Sequence, residues 1–509
     1  MMQDISSVQG LFYLAIFLAW YLISVRLRQY ANLKHFKGPA TTGISWWWFS
    51  KAVLSGRAHE YYGEVIEKYG PIARVAPNHL VTSDADFWAK INAVRSPYQR
   101  APWYYHAARF EPGKDNVFTE CDNDRHDARR KKMAAGYSGR ENPTLEPSID
   151  EHVKELVDLV RKYAASATSD TPSTRMNLAK KIPYFTLDVI SHVGLGQPFG
   201  NLLADKDLND YHQASEVGLK ISNTAFALGI DWLRSVPIIG PAISPSEKDS
   251  TGFGRMMAEA RKLIDARVST SIEEKSDMLA SFIRHGVSGD DLFQEAFEQI
   301  LAGSDTTAAA IRIIMLYIIS HPRIYKKLQA EIDDAVKSGI APASGVISDA
   351  STRELAYLCA VIREGMRVHP PVTNIFSRIT PSHGETVTIS GTKYFIPGGV
   401  LIGYSAWSMH RNNRDLYGSD ASTFRPERWL CVDDTERLAQ MTKTNDMVFG
   451  YGRWQCLGKN IALLEIHKSV FELFRYFDFA LSDPARPWKT FDTMGLWQIE
   501  DMWVDVTLR

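Results

Sequence analysis

Cys456 stands in Phe449-Gly450-Tyr451-Gly452-Arg453-Trp454-Gln455-Cys456-Leu457-Gly458, a glycine-rich loop that runs into an apolar-periodic stretch from Asn460 to Phe474. The spacing predicts a helix there, with the cysteine at or near its N-terminus. Free backbone N–H groups and the helix dipole favour an anion at that place, so the expectation is a thiol of lowered pKa presented to a metal. Gly450, Gly452 and Gly458 let the backbone turn tightly and approach a flat object closely. A buried cysteine acting as a small hydrophobe is the plainer alternative. A second chemical group, Asp305 with Thr306, lies in Ala302-Gly303-Ser304-Asp305-Thr306-Thr307. A third pairs Glu364 with Arg367, upstream of Phe424-Arg425-Pro426-Glu427-Arg428-Trp429.

The elements that must position these groups follow from periodicity. Leu292 to Ile319 reads as one long buried helix with a weak spot in its middle. Gly303 lowers helix stability by about 0.8–1.0 kcal/mol relative to Ala, and the hydroxyls of Ser304, Thr306 and Thr307 compete for backbone carbonyls. A local opening there could hold a water or dioxygen, although a helix end followed by a second helix fits the same residues. Glu354 to Val368 predicts a helix terminated by His369-Pro370-Pro371. Its i, i+3 spacing puts Glu364 and Arg367 on one face, which by itself describes a surface ion pair of little worth. Asp124 to Met133 predicts a basic helix, and short strands are expected near 72–75, 80–82, 386–389, 393–396 and 400–403.

With 509 residues, 45% hydrophobic and 11% aromatic, the chain can bury one large core, and it shows no repeat or low-complexity linker. A net charge of −1 gives no footprint for nucleic acid. Cys121, Cys359, Cys431 and Cys456 are too widely spaced for a zinc pattern or a disulfide framework, which fits a reducing compartment. Gly10 to Val25 is uncharged and is followed by Arg26, Arg28, Lys34 and Lys37. Extended by Val8 and Gln9, it approaches the ~20 residues of a spanning helix. Cations after the apolar run leave the N-terminus lumenal and the bulk cytosolic, and argue against a cleaved signal. The expected division is therefore 1–37 as anchor and flank and 38–509 as a catalytic domain. Trp46-Trp47-Trp48-Phe49 suits the membrane headgroup zone and packing against the globule equally well.

Phe449, Gly452, Cys456 and Gly458 satisfy the haem-binding signature of the cytochrome P450 family, which the chain resembles throughout after its N-terminal segment. The resemblance implies that family's mainly α fold with small β-sheets, preceded here by one transmembrane helix. It makes Cys456 the thiolate ligand of haem iron, with Ala302, Phe449, Arg453 and Gly458 also at the cofactor. It makes Asp305 and Thr306 the organisers of proton delivery, and Glu364, Arg367 and Arg428 a buried structural triad. His126, Arg130 and Arg378 would meet the haem propionates.

Trp454 departs from the family's usual Arg or His, so no propionate contact is carried over to it and an arginine placed there should be tolerated. The Gly-Arg-aromatic variant is similar to a fungal subgroup, the pisatin demethylases, which includes hydroxylases of terpenoid hormone pathways. Arg129, Lys131, Lys132, Lys459 and Lys468 would form a positive face for an acidic electron donor.

The implied activity is that of an endoplasmic-reticulum membrane monooxygenase. It would be fed by NADPH-cytochrome P450 reductase and act on a lipophilic secondary metabolite, with terpenoids leading and isoflavonoids and polyketides open. A redox-neutral haem-thiolate isomerase or dehydratase and a haem sensor are the alternatives, and both sit poorly with a retained Asp-Thr pair. Substrate would meet 101–118, 205–245, Phe297, Leu301, 372–376 and 494–497, and the apolar stretch 236–243 could touch the membrane.

Overall fold

In the computed structural model, which describes residues 2–166, 174–269, 276–430 and 433–509, the stretch around Asp305 forms one uninterrupted helix, Gly289–Ile319. Cys431 lies outside the described residues. The expected opening at Gly303 is absent. A Cβ there would lie 2.7 Å from Ile190 Cγ1, so the glycine admits the neighbouring helix Leu178–Leu195 instead of loosening its own. The Thr306 hydroxyl does turn to the helix backbone, donating to Ala302 O at 2.8 Å. Helices Leu145–Ala165, Leu178–Leu195 and Lys459–Tyr476 share one apolar core with this central helix.

The basic segment is the helix Asn123–Tyr137, capped by the Asp122 carboxylate, which accepts from the N–H groups of Asp124 and Arg125. The segment expected as one helix over 354–368 is two, Asp349–Glu354 and Ala356–Val368, separated at Leu355, whose φ and ψ of −83° and 93° are extended. Strands Ile72–Ala76, His79–Thr82, Leu401–Ser405, Asn374–Ile379 and Gln99–Arg100 form the largest sheet, in that order, with His79–Thr82 and Leu401–Ser405 parallel. Its edge register sets Arg100 opposite Arg378. Glu385–Ile389 and Thr392–Ile396 make a hairpin, and smaller sheets gather strands near the C-terminus.

Glu364 is no surface residue. Arg367 grips it through Nε and Nη2 at 2.8 and 2.9 Å, Arg428 Nε reaches it at 2.9 Å, and Trp429 Nε1 donates to it at 3.0 Å. All three charged side chains are buried. One carboxylate here balances two guanidinium groups and ties the helix Ala356–Val368 to the segment before the cysteine loop. Removing one partner of such a set costs about 3–5 kcal/mol, because the others stay buried and unpaired. Glu364→Gln is therefore expected to lower the denaturant midpoint sharply, whereas Lys327→Ala, which loses an exposed pair with Glu427 and a contact with the Tyr357 ring, should leave it nearly unchanged.

Among the described residues, the helix apolar and long enough to cross a membrane is Gly289–Ile319, and it is mostly buried, as a core helix is. Met2–Leu33 is a continuous helix on which Phe12, Phe17 and Trp20 face outward and Leu33 is buried. Of the tryptophan run, Trp46 packs on Phe49 and Trp103, Trp48 packs on Tyr61 and Tyr62, and Trp47 is exposed.

Candidate active site

Gly450 and Gly452 turn the cysteine loop with φ of 74° and 58°, values that favour glycine. A Cβ on Gly452 would come within 2.3 Å of Asn92 O. The loop closes through Cys456 N, which donates to Phe449 O at 2.7 Å. Gly458 caps the helix Lys459–Tyr476 with an ordinary φ of −81°, so it makes no special turn, and a Cβ there would sit at an ordinary contact distance of 3.9 Å from Cys456 Sγ.

The backbone N–H groups of Gly458 and Lys459 and the charge of Arg130 favour the thiolate, yet burial outweighs them and pushes the thiol pKa up. The expected net lowering is thus not met by the protein alone; a coordinating cation would complete the ionisation. Cys456 is nonetheless exposed, so a group within dense protein has open space before it, as at the wall of an internal cleft. Phe449 is half-buried against the core, with the Lys459 ammonium 5.6 Å from its ring centroid.

The central helix supplies further accessible positions in a buried setting. Ala302 is exposed, and Thr306 and Asp305 are half-buried. Ser215 Oγ donates to Asp305 at 2.8 Å, and burial holds the Asp305 pKa up against that bond and the charge of Arg312. Asp305 and Thr306 line one small cavity with His212, Glu216, Arg312 and Gln498, just large enough for a water. Burial pushes His212 down to about 3 and Glu216 upward, so both favour their neutral forms. Arg312, two helical turns beyond Asp305, was detectable from spacing; His212 and Glu216, on the helix Tyr211–Leu228, were not. Phe297, expected to face substrate, is wholly buried among Phe110, Phe253 and Phe293.

A cationic cluster surrounds Trp454. The Arg100 and Arg378 guanidinium carbons lie 4.2 and 5.1 Å from its ring centroid, and the His126 ring lies 4.2 Å away. Arg378 is fixed by donation to Asn92 Oδ1 and Tyr105 Oη, and Arg130 by donation to Gln455 O. Burial and the charges of Arg100, Arg130, Arg453 and Arg378 push His126 down to about 2, so it is neutral. Arg453 is taken up by Asp127 and the Ser96 carbonyl, leaving it as a frame residue. Arg100, which sequence inspection passed over, is buried with its pKa lowered to about 10 by that burial, and its Nε has no acceptor among the described residues.

The residues present fit a haem. A buried, under-satisfied guanidinium beside two others calls for carboxylates such as propionates, and an accessible cysteine flanked by N–H donors suits an axial thiolate. The positive outer face is largely absent. Lys468 is buried against Glu146 and Asp150, Arg129 bonds Glu295 and Asp291, and Lys459 pairs with Asp446, leaving Lys131 and Lys132 exposed. An arginine at 454 would put a further guanidinium beside those of Arg100, Arg378 and Arg453 and remove three cation–π contacts of about 0.5–2 kcal/mol each. Trp454→Arg is thus expected to speed haem loss to apomyoglobin, with Trp454→Phe close to the parent, contrary to the tolerance its family position suggests.

The family model described as Cytochrome P450 matches residues 39–502. The chain is 36% identical over 500 residues to the cytochrome P450 monooxygenase ABA1 of Pyricularia oryzae, an alignment covering 96% of this chain and 95% of that one. It is 34% identical over 468 residues to the cytochrome P450 monooxygenase aba1 of Botryotinia fuckeliana, covering 91% and 89%. It is 30% identical over 496 residues to the cytochrome P450 monooxygenase gsfF of Penicillium aethiopicum, covering 93% of each.

Proposed function

The chain belongs to the cytochrome P450 family as a haem-thiolate monooxygenase served by a reductase, and on that premise we propose that it oxidises a lipophilic secondary metabolite, first of all a terpenoid, at a membrane surface. The observation that carries the oxygenase side of this reading is the joint placement of Asp305 and Thr306 on one water-sized cavity. An isomerase acting on a peroxide needs no such proton supply.

Cys456 would ligate the haem iron through its thiolate, and Arg100, His126, Arg130 and Arg378 would hold the propionates. A thiolate-ligated haem supplies dioxygen activation when bound, the sulfur favouring O–O cleavage. Thr306 donates its hydroxyl proton to Ala302 O, which leaves its oxygen to accept a hydrogen bond at the cavity. Asp305, kept protonated to higher pH than an ordinary carboxyl, passes its proton toward Thr306 and the cavity water, and His212 and Glu216 lie on the same cavity to replenish it.

A membrane location is supported by two exposed apolar features, the N-terminal helix and the segment bearing Trp232, Ile238, Ile239 and Ile243. Removing residues 1–32 is expected to shift the protein toward the soluble fraction with haem retained, because the cysteine loop and the arginine cluster lie beyond it. Loss of haem would make that helix part of the core. The activity itself is tested by expression with a fungal reductase and a terpenoid panel. NADPH and dioxygen consumption with gain of one oxygen atom is expected; turnover of a peroxide without NADPH would overturn the reading.

A further inference from the structure

Arg312 is a buried cation that no carboxylate bonds. Its Nε donates to Ala308 O at 3.0 Å, and its Nη1 donates to Ala179 O at 3.0 Å and to Ile499 O at 3.3 Å. Backbone carbonyls of three elements thus hold it, from its own helix, from Leu178–Leu195 and from the strand Leu496–Glu500. Among the described residues its Nη2 has no acceptor, and the side chain forms part of the wall of the water-sized cavity that also takes in Asp305, Thr306, His212 and Glu216.

Carbonyls satisfy the N–H groups of a guanidinium but not its charge, and a buried charge calls for an opposite one. Two carboxyls on that cavity can answer it, Asp305 and Glu216.

Resting on the monooxygenase reading and on Asp305 as its proton donor, we propose that Arg312 is a positioning residue for proton delivery, holding the carboxylate that Asp305 becomes when its proton leaves. The proton passes from the Asp305 carboxyl to the Thr306 oxygen or the cavity water, the carboxylate left behind shares the cavity with a fixed guanidinium, and a proton from the cavity water restores the acid. Without the cation, the same transfer would leave a lone anion in dense protein.

The other groups around the pair leave this part to Arg312. Ser215 Oγ, on the helix Tyr211–Leu228, donates to Asp305 and favours its anion, but it carries no charge. Tyr211 on the same helix is pushed well up by burial and by Asp305, and stays neutral. His212 is pushed down to about 3 by burial, with Arg312 and Lys180 adding to the effect. Burial and Glu500 raise Glu216, against the pull of Lys220 and Arg312, and Lys220 is itself bonded to Glu500 at 2.9 Å. Burial pushes Arg312 down to about 10 against the pull of Asp305 and Glu216, so it keeps its charge at neutral pH.

The test uses the full-length ferric holoenzyme and needs no substrate. Infrared difference spectra along a pH titration should contain one protonated-carboxyl band that is missing in Asp305→Asn, and the midpoint of that band reports the acid. Arg312→Gln, which keeps hydrogen-bond donors and removes the charge, should raise the midpoint by about one pH unit or more, the effect of a nearby opposite charge on a carboxyl. Arg312→Lys should bring it back close to the parent. The sign separates charge from packing, because a substitution that only loosened the site and admitted water would lower the midpoint toward that of an ordinary aspartate. In the parent protein, loss of the carboxyl band should be accompanied by a shift of a guanidinium band, and both changes should be missing in Asp305→Asn. That reading decides the matter even where no Arg312 variant folds. A midpoint unmoved or lowered in Arg312→Gln, a guanidinium band indifferent to Asp305, or no carboxyl band that depends on Asp305 overturns the proposal, while a normal thiolate-type carbon-monoxide band leaves the haem reading standing. Absence of that band would bring down both.

Discussion

Replacing Cys456 by Ser is expected to abolish the thiolate-type spectrum of the ferrous carbon-monoxide complex and all turnover. The neighbourhood would still attract a haem, because the arginine cluster around Trp454 is untouched. What disappears is the sulfur, and with it the electron donation that favours O–O cleavage. Serine preserves the loop, since the contact that closes it runs from the backbone N–H of residue 456 to Phe449 O. A folded, haem-containing but spectrally altered protein is therefore the expected product. Cys121 and Cys359 provide the controls: burial raises both thiols as it raises Cys456, but both are less accessible than Cys456 and turn their S–H groups to the carbonyls of Thr119 and Thr352, so serine at either should leave the band unchanged. Retention of the thiolate-type band in Cys456→Ser would end the assignment.

Thr306→Ala is expected to cut product formation by about 10²–10⁴-fold, the range for loss of general acid assistance, while NADPH consumption continues and hydrogen peroxide accumulates. The substitution removes a hydroxyl whose bond, among the described residues, is to its own helix at Ala302 O, so the fold should be indifferent to it. Asp305→Asn should act in the same direction. It keeps a partner for Ser215 Oγ but removes the carboxyl that carries the proton. Because the Asp305 pKa is raised by burial, its protonated form persists to higher pH than that of an ordinary aspartate, and delivery should fade only as pH climbs past the folded value. A product-to-NADPH ratio unchanged in Thr306→Ala would remove the residue from the relay.

Groups whose meaning is local were legible in the chain. The cysteine loop, the Asp305-Thr306 pair, the Glu364-Arg367 spacing and most strand positions follow from neighbours a few residues apart. What the sequence hid depends on partners far along the chain. Arg100 looked like one cation among many until strand register placed it opposite Arg378 and around the Trp454 ring. Lys468 and Arg129 looked like a free positive surface, but their carboxylates come from other helices, through Glu146, Asp150 and Glu295. Trp454 looked like an absent cation and is instead the surface on which cations assemble. The thiol pKa ran against expectation because a helix-end field of roughly half a charge is small beside the desolvation that the surrounding protein imposes.

Gly303 is the point where Ile190 enters the central helix, and Gly365 meets that helix in the same manner, since a Cβ there would lie 2.7 Å from Ile314 Cγ1. Two neighbouring helices, meeting the central helix about three turns apart, thus fix its position where an isoleucine seats on a glycine and no larger side chain fits. For a family that diversifies what it oxidises, this marks a division of labour within one cleft. The wall bearing Ala302 and Thr306 is a fixed datum, and changes of regioselectivity in this chain will have to come from segments that approach it, such as 101–118 or 494–497. A directed-evolution library that spends its diversity at positions 190, 303, 314 or 365 would sample unfolding, and one aimed at the approaching loops would sample new products.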